Sequence, residues 1–206
     1  MRNYKFPGQT ARVALISTAL FLLLASYAGA NTYCVDCDQD SLRMELREPI
    51  SDSVRIYILA ELINSQVIPA SLDDGLVFRD LHLLDSLNRK LNLIDFSPYS
   101  LIKQGLEQWS KNESEKAINT FKEAIRILDQ QDRIFGTNSL LTGIREFYNE
   151  KSWHEERLIF YTEKLNYYLQ NGPWQNTAAC YHGIAGYYSF KADYNRAISN
   201  YLKSAE

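Results

Sequence analysis

Apolar positions recur every three or four residues along most of the chain, and no stretch shows the strict alternation of a strand. That period predicts helices. Asp40 to Arg47 forms a short first helix, stopped before Pro49. Ser51-Asp52-Ser53 can cap the next, which carries Val54, Tyr57, Ile58 and Leu62 and ends before Pro69. Asp73-Asp74 opens a helix with Val77, Leu81, Leu84 and the run from Leu87 to Leu91. Ser97-Pro98, a cap followed by proline in the first turn, starts one bearing Leu101, Ile102, Leu106 and Trp109. Asn112 breaks it, and Glu113-Ser114-Glu115 opens another with Ala117, Phe121, Ala124, Ile125 and Leu128. Gly136-Thr137-Asn138 separates that helix from a pair near 138–151 and 153–170. Gly172-Pro173 separates these from a last pair near 174–190 and 193–205. Connections this short make neighbouring helices antiparallel. The predicted fold class is all-α, in tandem antiparallel hairpins over 50–206. A lead segment, 31–49, holds the short helix.

The first thirty residues have a different pattern. Arg2, Lys5 and Arg12 precede an apolar run from Val13 to Ala25, which ends in Ala28-Gly29-Ala30. A positive start, an apolar centre and small residues at an A-x-A site predict a signal peptide over 1–30. An uncleaved membrane anchor is the alternative, because the run approaches the roughly 18 residues that span a bilayer. Cys34 is not preceded by a lipobox-like Leu-Ala-Gly, which argues against lipid anchoring. The expected location is therefore exported, periplasmic or secreted.

Composition adds limits. The 206 residues are 46% hydrophobic and 23% charged, which is ordinary for a globular chain. Net charge is −3, and losing the leader removes three basic residues and no acid, leaving −6. Such a charge does not suit nucleic acid or an anionic membrane surface. Cys34 and Cys37 form C-V-D-C, a candidate disulfide in an oxidising compartment. A redox reading would need a βαβ setting and a zinc reading a second C-x-x-C, and neither follows. Cys180, in Ala178-Ala179-Cys180-Tyr181, reads as a small buried hydrophobe.

The hairpins repeat. One unit reads Tyr181-x-x-Ile184-Ala185-x-x-Tyr188, then Ala192-Asp193-Tyr194-x-x-Ala197-x-x-x-Tyr201. Another reads Leu101-x-x-x-Gly105, then Asn112-Glu113 and Ala117-x-x-x-Phe121-x-x-Ala124. This spacing resembles the tetratricopeptide repeat. Gly105 and Ala185 match its small eighth position, Ala117 and Ala197 the twentieth, and Phe121 and Tyr201 the twenty-fourth. A weaker copy has Trp153 at the seventeenth, Phe160 at the twenty-fourth and Glu156 where alanine belongs. Another has Val77, Leu81 and Leu84 at equivalent places. The copies, near 58–96, 98–135, 137–173 and 178–206, are about 40 residues apart rather than 34, with the extra residues expected in each second helix. The resemblance implies a right-handed solenoid whose stacked hairpins share one core.

Chemistry is sparse. His82, His154 and His182 form no H-E-x-x-H, and His154-Glu155-Glu156 lacks the second histidine. Cys180 and His182, two apart on a helix, point to different faces. The sequence contains no phosphate-cradling glycine loop and no G-x-S-x-G. No catalytic residue, metal or cofactor is expected. The tyrosines between 161 and 201 read as core rather than a stacking platform. Runs such as Glu155-Glu156-Arg157 read as solvated helix starts.

In the resembled family the first helix of each hairpin lines a concave binding surface. That implies partner contacts from Tyr99, Ile102, Leu106 and Trp109, then Asn138, Leu141, Arg145, Tyr148 and Asn149, then His182, Ser189 and Phe190. Leu106 and Leu141 are better read as core, whereas Arg145 and Asn149 should face solvent. Trp109, Arg145 and Tyr148 are residue types that dominate interface energies. The expected function is an exported, noncatalytic module binding a protein or peptide. The segments Asp40-Ser41-Leu42-x-x-Glu45-Leu46, Asp52-Ser53-Val54-Arg55 and Lys90-Leu91-Asn92 resemble sensory portions of bacterial membrane signalling proteins. This gives the alternative of a periplasmic sensor preceding a kinase, cyclase or DNA-binding output domain. Tyr201, Leu202 and Ala205 lack a following neighbour, so a partner, a second copy or further chain is expected there. An enzyme or sugar binder built on residues 148–190 is the third reading, and would need a pocket of convergent polar groups.

Overall fold

The computed structural model describes residues 39–66 and 75–206. The leader, Cys34, Cys37 and Asp73-Asp74 lie outside them. The described helices are α1 (Gln39–Glu45), α2 (Asp52–Asn64), α3 (Gly75–Leu91), α4 (Ser97–Ser110), α5 (Ser114–Gln130), α6 (Ile134–Glu150), α7 (His154–Asn171), α8 (Trp174–Phe190) and α9 (Tyr194–Ala205). A 3-10 turn, Ile94–Phe96, leads into α4. No strand occurs among the described residues. The chain is a tandem of helical hairpins, α2/α3, α4/α5, α6/α7 and α8/α9, around a core that runs from Ile56 to Ile184.

The hairpin turns are near copies of one another. Asn92, Asn112, Asp132, Ser152 and Ala192 all have positive φ, between 52° and 61°. After each of them the next N–H reaches back five residues: Leu93 to the Asn88 carbonyl at 3.4 Å, and Glu113 to Gln108, Arg133 to Leu128, Trp153 to Tyr148 and Asp193 to Tyr188, these four at 2.9 Å. This bond closes a helix end that would otherwise leave carbonyls unpaired. These turn residues are spaced twenty apart, and the series skips position 172. There Pro173 follows, and Gly172 takes an extended ψ of 167° because the proline ring excludes the helical region. Pro173 then caps α8. The 40-residue period therefore comes from lengthening both helices: α5, α6 and α8 have 17 residues each and α7 has 18. That corrects the expectation that only second helices grew.

Left-handed backbone suits glycine or asparagine far better than alanine. Ala192→Gly is therefore expected to raise stability by about 1 kcal/mol, seen as a higher urea midpoint with unchanged slope. An equal or lower midpoint would show that the turn holds no such strain.

Glycines and tyrosines set the helix spacing. A Cβ on Gly105 would lie 2.4 Å from the Phe121 ring, so α4 and α5 meet only because Gly105 has none. Phe121 stacks on Phe147 of α6 with centroids 5.0 Å apart, and Trp109 packs on Phe147 at 4.1 Å. Gly183 of α8 similarly receives the Tyr161 ring of α7, whose hydroxyl donates to the Leu141 carbonyl at 2.5 Å. Gly136 was read as a break, yet it lies inside the first turn of α6. A Cβ there would come within 3.0 Å of the Asn64 amide oxygen and 3.2 Å of Leu128. Its role is close approach.

The α3–α4 contact is partly ionic. Asp85, 5% exposed, accepts from Ser100 Oγ at 2.7 Å, Lys103 Nζ at 3.0 Å and Arg89 at 2.8 Å. Burial pushes its carboxyl up, but Ser100, Lys103 and Arg89 outweigh this and hold it below the usual aspartate value. A depressed carboxyl stabilises the fold above the unfolded pKa, and that stability is lost as pH falls through the folded one. Asp85→Asn should therefore cost about 1–3 kcal/mol near neutrality and much less at low pH. Parallel denaturation curves for parent and variant across the acid limb test this; a gap that does not narrow would assign Asp85 a pH-independent role.

Candidate functional site

The first helices of the hairpins, α4, α6 and α8, carry the expected partner-binding residues. The structure buries four of them. Tyr99 and Tyr148 are 1% exposed, Ile102 is fully buried and Trp109 is 6% exposed. Leu106 and Leu141 are buried too, in line with their core reading. The inward stripe of α4 meets α5 and the preceding 3-10 turn, and Trp109 and Tyr148 fill space at the ends of their helices. Tyr99 donates its hydroxyl to the Asn64 amide oxygen at 3.0 Å, pinning α4 to α2.

The remaining residues divide into two groups. Asn138 is half-buried and donates to the Gln175 carbonyl at 2.8 Å, joining α6 to the start of α8. Ser189 is exposed near the end of α8. Phe190, 57% exposed, stacks on His154 with centroids 3.5 Å apart. Arg145, Asn149 and His182 gather into one polar cluster. Its organiser is Glu146, which accepts from Arg145 Nε at 3.0 Å and from Asn149 Nδ2 at 3.2 Å. The Asn149 amide oxygen in turn accepts from Arg157 Nη1 of α7. Arg157 Nε donates to the Gly183 carbonyl of α8 at 3.0 Å. His182, exposed one residue before Gly183, meets Tyr201 of α9 edge-on at 5.1 Å.

Charge sets the chemistry of this cluster. Burial pushes the Glu146 carboxyl up, but hydrogen bonds from Arg145 and Asn149 and the charges of Arg145 and Arg157 bring it below the usual glutamate value. Burial and the same two guanidinium groups lower His182, so it is neutral at pH 7. Burial also pulls Arg157 down, although a guanidinium stays a cation. Exposed amide, neutral imidazole and half-exposed guanidinium groups can hydrogen-bond a polypeptide. Cys180 is fully buried in α8, and burial pushes its thiol up, away from a reactive thiolate.

Glu146 and Arg157 are the members that sequence reading missed. Arg157 was placed on a solvated face with Glu155 and Glu156, yet it is 3% exposed. The signal was its phase: it stands three and four residues before Phe160 and Tyr161, on the apolar stripe of α7.

Among the described residues no group of three or more histidine, cysteine or acidic side chains could hold a metal ion. No described helix is long and apolar enough to cross a membrane. The chain matches no curated protein and no solved structure significantly. The family model described as SNAP, soluble NSF attachment protein, matches residues 103–206, from within α4 through α9. The match covers half of the chain and all of its last two hairpins. The tandem helical hairpins agree with the helical-repeat architecture of that family, and the chain belongs to the soluble NSF attachment protein family.

Proposed function

We propose that the chain is a noncatalytic attachment module that binds a protein through the polar cluster of α6, α7 and α8. The observation that carries this reading is the convergence of Arg145, Glu146, Asn149 and His182 where two hairpins meet, with Arg157 buried behind them. Arg157 holds Asn149 from beneath, and Glu146 ties Arg145 and Asn149 together, a partial pre-organisation that favours binding. The family is named for attachment to another protein, NSF, which supports the same class of function.

Peptides selected on the full chain provide the test. Those that bind this cluster should lose roughly tenfold in affinity with Arg145→Glu, and again with His182→Ala, while circular dichroism stays unchanged. Selected peptides indifferent to both substitutions would end the proposal.

Export is part of the proposal and rests on the leader-like pattern of residues 1–30. N-terminal sequencing of protein recovered from outside the cytoplasm should begin at Asn31. A second reading, the sensory part of a larger signalling protein, draws support from α9. Tyr194, Ile198 and Leu202 form an apolar stripe there, each about 60% exposed, to which a neighbour could dock.

A further inference from the structure

Helices α5 and α7 flank a trough that the polar cluster does not use. At one end lies a cavity of about 290 Å³ between the start of α5, the end of α6 and the start of α7. Glu115 of α5 and Glu156 of α7 stand exposed on its rim. Neither makes a hydrogen bond or ion pair with another described residue. Half-buried Trp153 and the core residue Ile118 line it. Tyr148 borders the same cavity, and its hydroxyl, fully buried, has no hydrogen-bond partner among the described residues. Leaving such a group unpaired is unfavourable, and native structures rarely do so without a reason.

The charges point to one kind of guest. Burial pushes the Tyr148 phenol up, and the negative charges of Glu156 and Glu163 push it further. An anion entering here would meet the same repulsion. A cation would be drawn to Glu115 and Glu156, could stack on an indole, and could donate to the Tyr148 oxygen. Lys122, the one cation among the described residues that border the cavity, lies 5.4 Å from the centre of the Phe160 ring, towards the neighbouring cavity of about 450 Å³. A guanidinium meets these demands better than an ammonium. It is planar, stacks on aromatic faces and carries five donors that reach several acceptors together.

We propose that the cavity between Glu115, Tyr148, Trp153 and Glu156 binds an arginine side chain of a partner polypeptide. This rests on the attachment-module reading for the nature of the guest, but it uses a surface separate from the Arg145 cluster.

The test titrates the full chain with N-acetyl-arginine amide, following the indole N–H resonances, with Trp153→Phe as the assignment. The Trp153 signal should shift saturably at millimolar concentration. The neutral isostere N-acetyl-citrulline amide should bind at least tenfold more weakly, and Glu115→Gln with Glu156→Gln should bring a comparable loss. Tyr148→Phe should weaken binding without lowering the unfolding midpoint, which separates a guest-binding hydroxyl from a structural one. Equal shifts with citrulline, undiminished binding in the double variant, or no saturable shift would each overturn the proposal. These outcomes are independent of Arg145→Glu, so failure here and failure of the polar cluster are told apart.

Discussion

Arg157→Ala is expected to destabilise the fold by about 3 kcal/mol, among the largest effects of any single truncation in the chain. Three losses combine. The Gly183 carbonyl gives up its side-chain donor inside α8, and the Asn149 amide oxygen loses its guanidinium. A buried stem and head group also vacate space that was closely filled. The fit is tight because α8 has glycine where Arg157 lies: a Cβ on Gly186 would sit 1.9 Å from Nη2. Removing the head leaves polar groups unpaired and a void, each of which costs free energy. Arg157→Met should recover part of the packing and none of the hydrogen bonding, and so fall between parent and alanine. Arg196→Ala, on the exposed side of α9, should stay within about 0.5 kcal/mol of the parent. Urea unfolding followed by circular dichroism ranks all four proteins. If Arg157→Ala and Arg196→Ala have the same midpoint, Arg157 is not a structural clamp.

Gly105→Ala should be comparably harmful for the opposite reason, since it adds an atom. The new Cβ would lie 2.4, 2.7 and 2.8 Å from three atoms of the Phe121 ring. Phe121 cannot swing away, because its other face stacks on Phe147, which is also held by Trp109. Overpacking of this kind costs about 1–3 kcal/mol, more than the roughly 1 kcal/mol that alanine gains over glycine in a helix. Gly75→Ala is the comparison, since nothing lies within 4 Å of its Cβ position, and it should be neutral or stabilising. The double variant Gly105→Ala with Phe121→Leu should recover part of the loss, and a cycle of the four proteins isolates the contact. A stabilised Gly105→Ala would mean that α4 and α5 can move apart without penalty.

These two residues also show what the sequence made legible. Gly105 could be read because its spacing to Ala117 and Phe121 is that of a recurring hairpin, where a small residue faces a ring. The breaks at Asn112 and Gly172-Pro173 could be read because turn chemistry is local. Arg157 was hidden by its charge: its neighbours Glu155 and Glu156 are exposed, and only the helical phase separates it from them. Gly136 was misread because glycine is both a breaker and a spacer, and the atoms it makes room for come from Asn64 and Leu128. Trp109 and Tyr148 could not be placed because aromatic types serve cores and interfaces equally. Here both pack inward, Trp109 on Phe147 and Tyr148 on Phe160. The cluster of Arg145, Asn149 and His182 depends on helices brought together by Tyr161 and Gly183, contacts that no local pattern encodes.

The twenty-residue cadence of the turns has a bearing on how such an array can change its length. One step of the cadence adds a single helix, and consecutive helices run in opposite directions. Gaining or losing one step would reverse the direction of every helix beyond it and exchange inner for outer rows throughout the remainder. Gaining or losing two steps would leave direction and row assignment intact. Viable insertions and deletions in this chain should therefore come in even numbers of steps, so that its inheritable unit is the helix pair, although its geometric unit is the single helix.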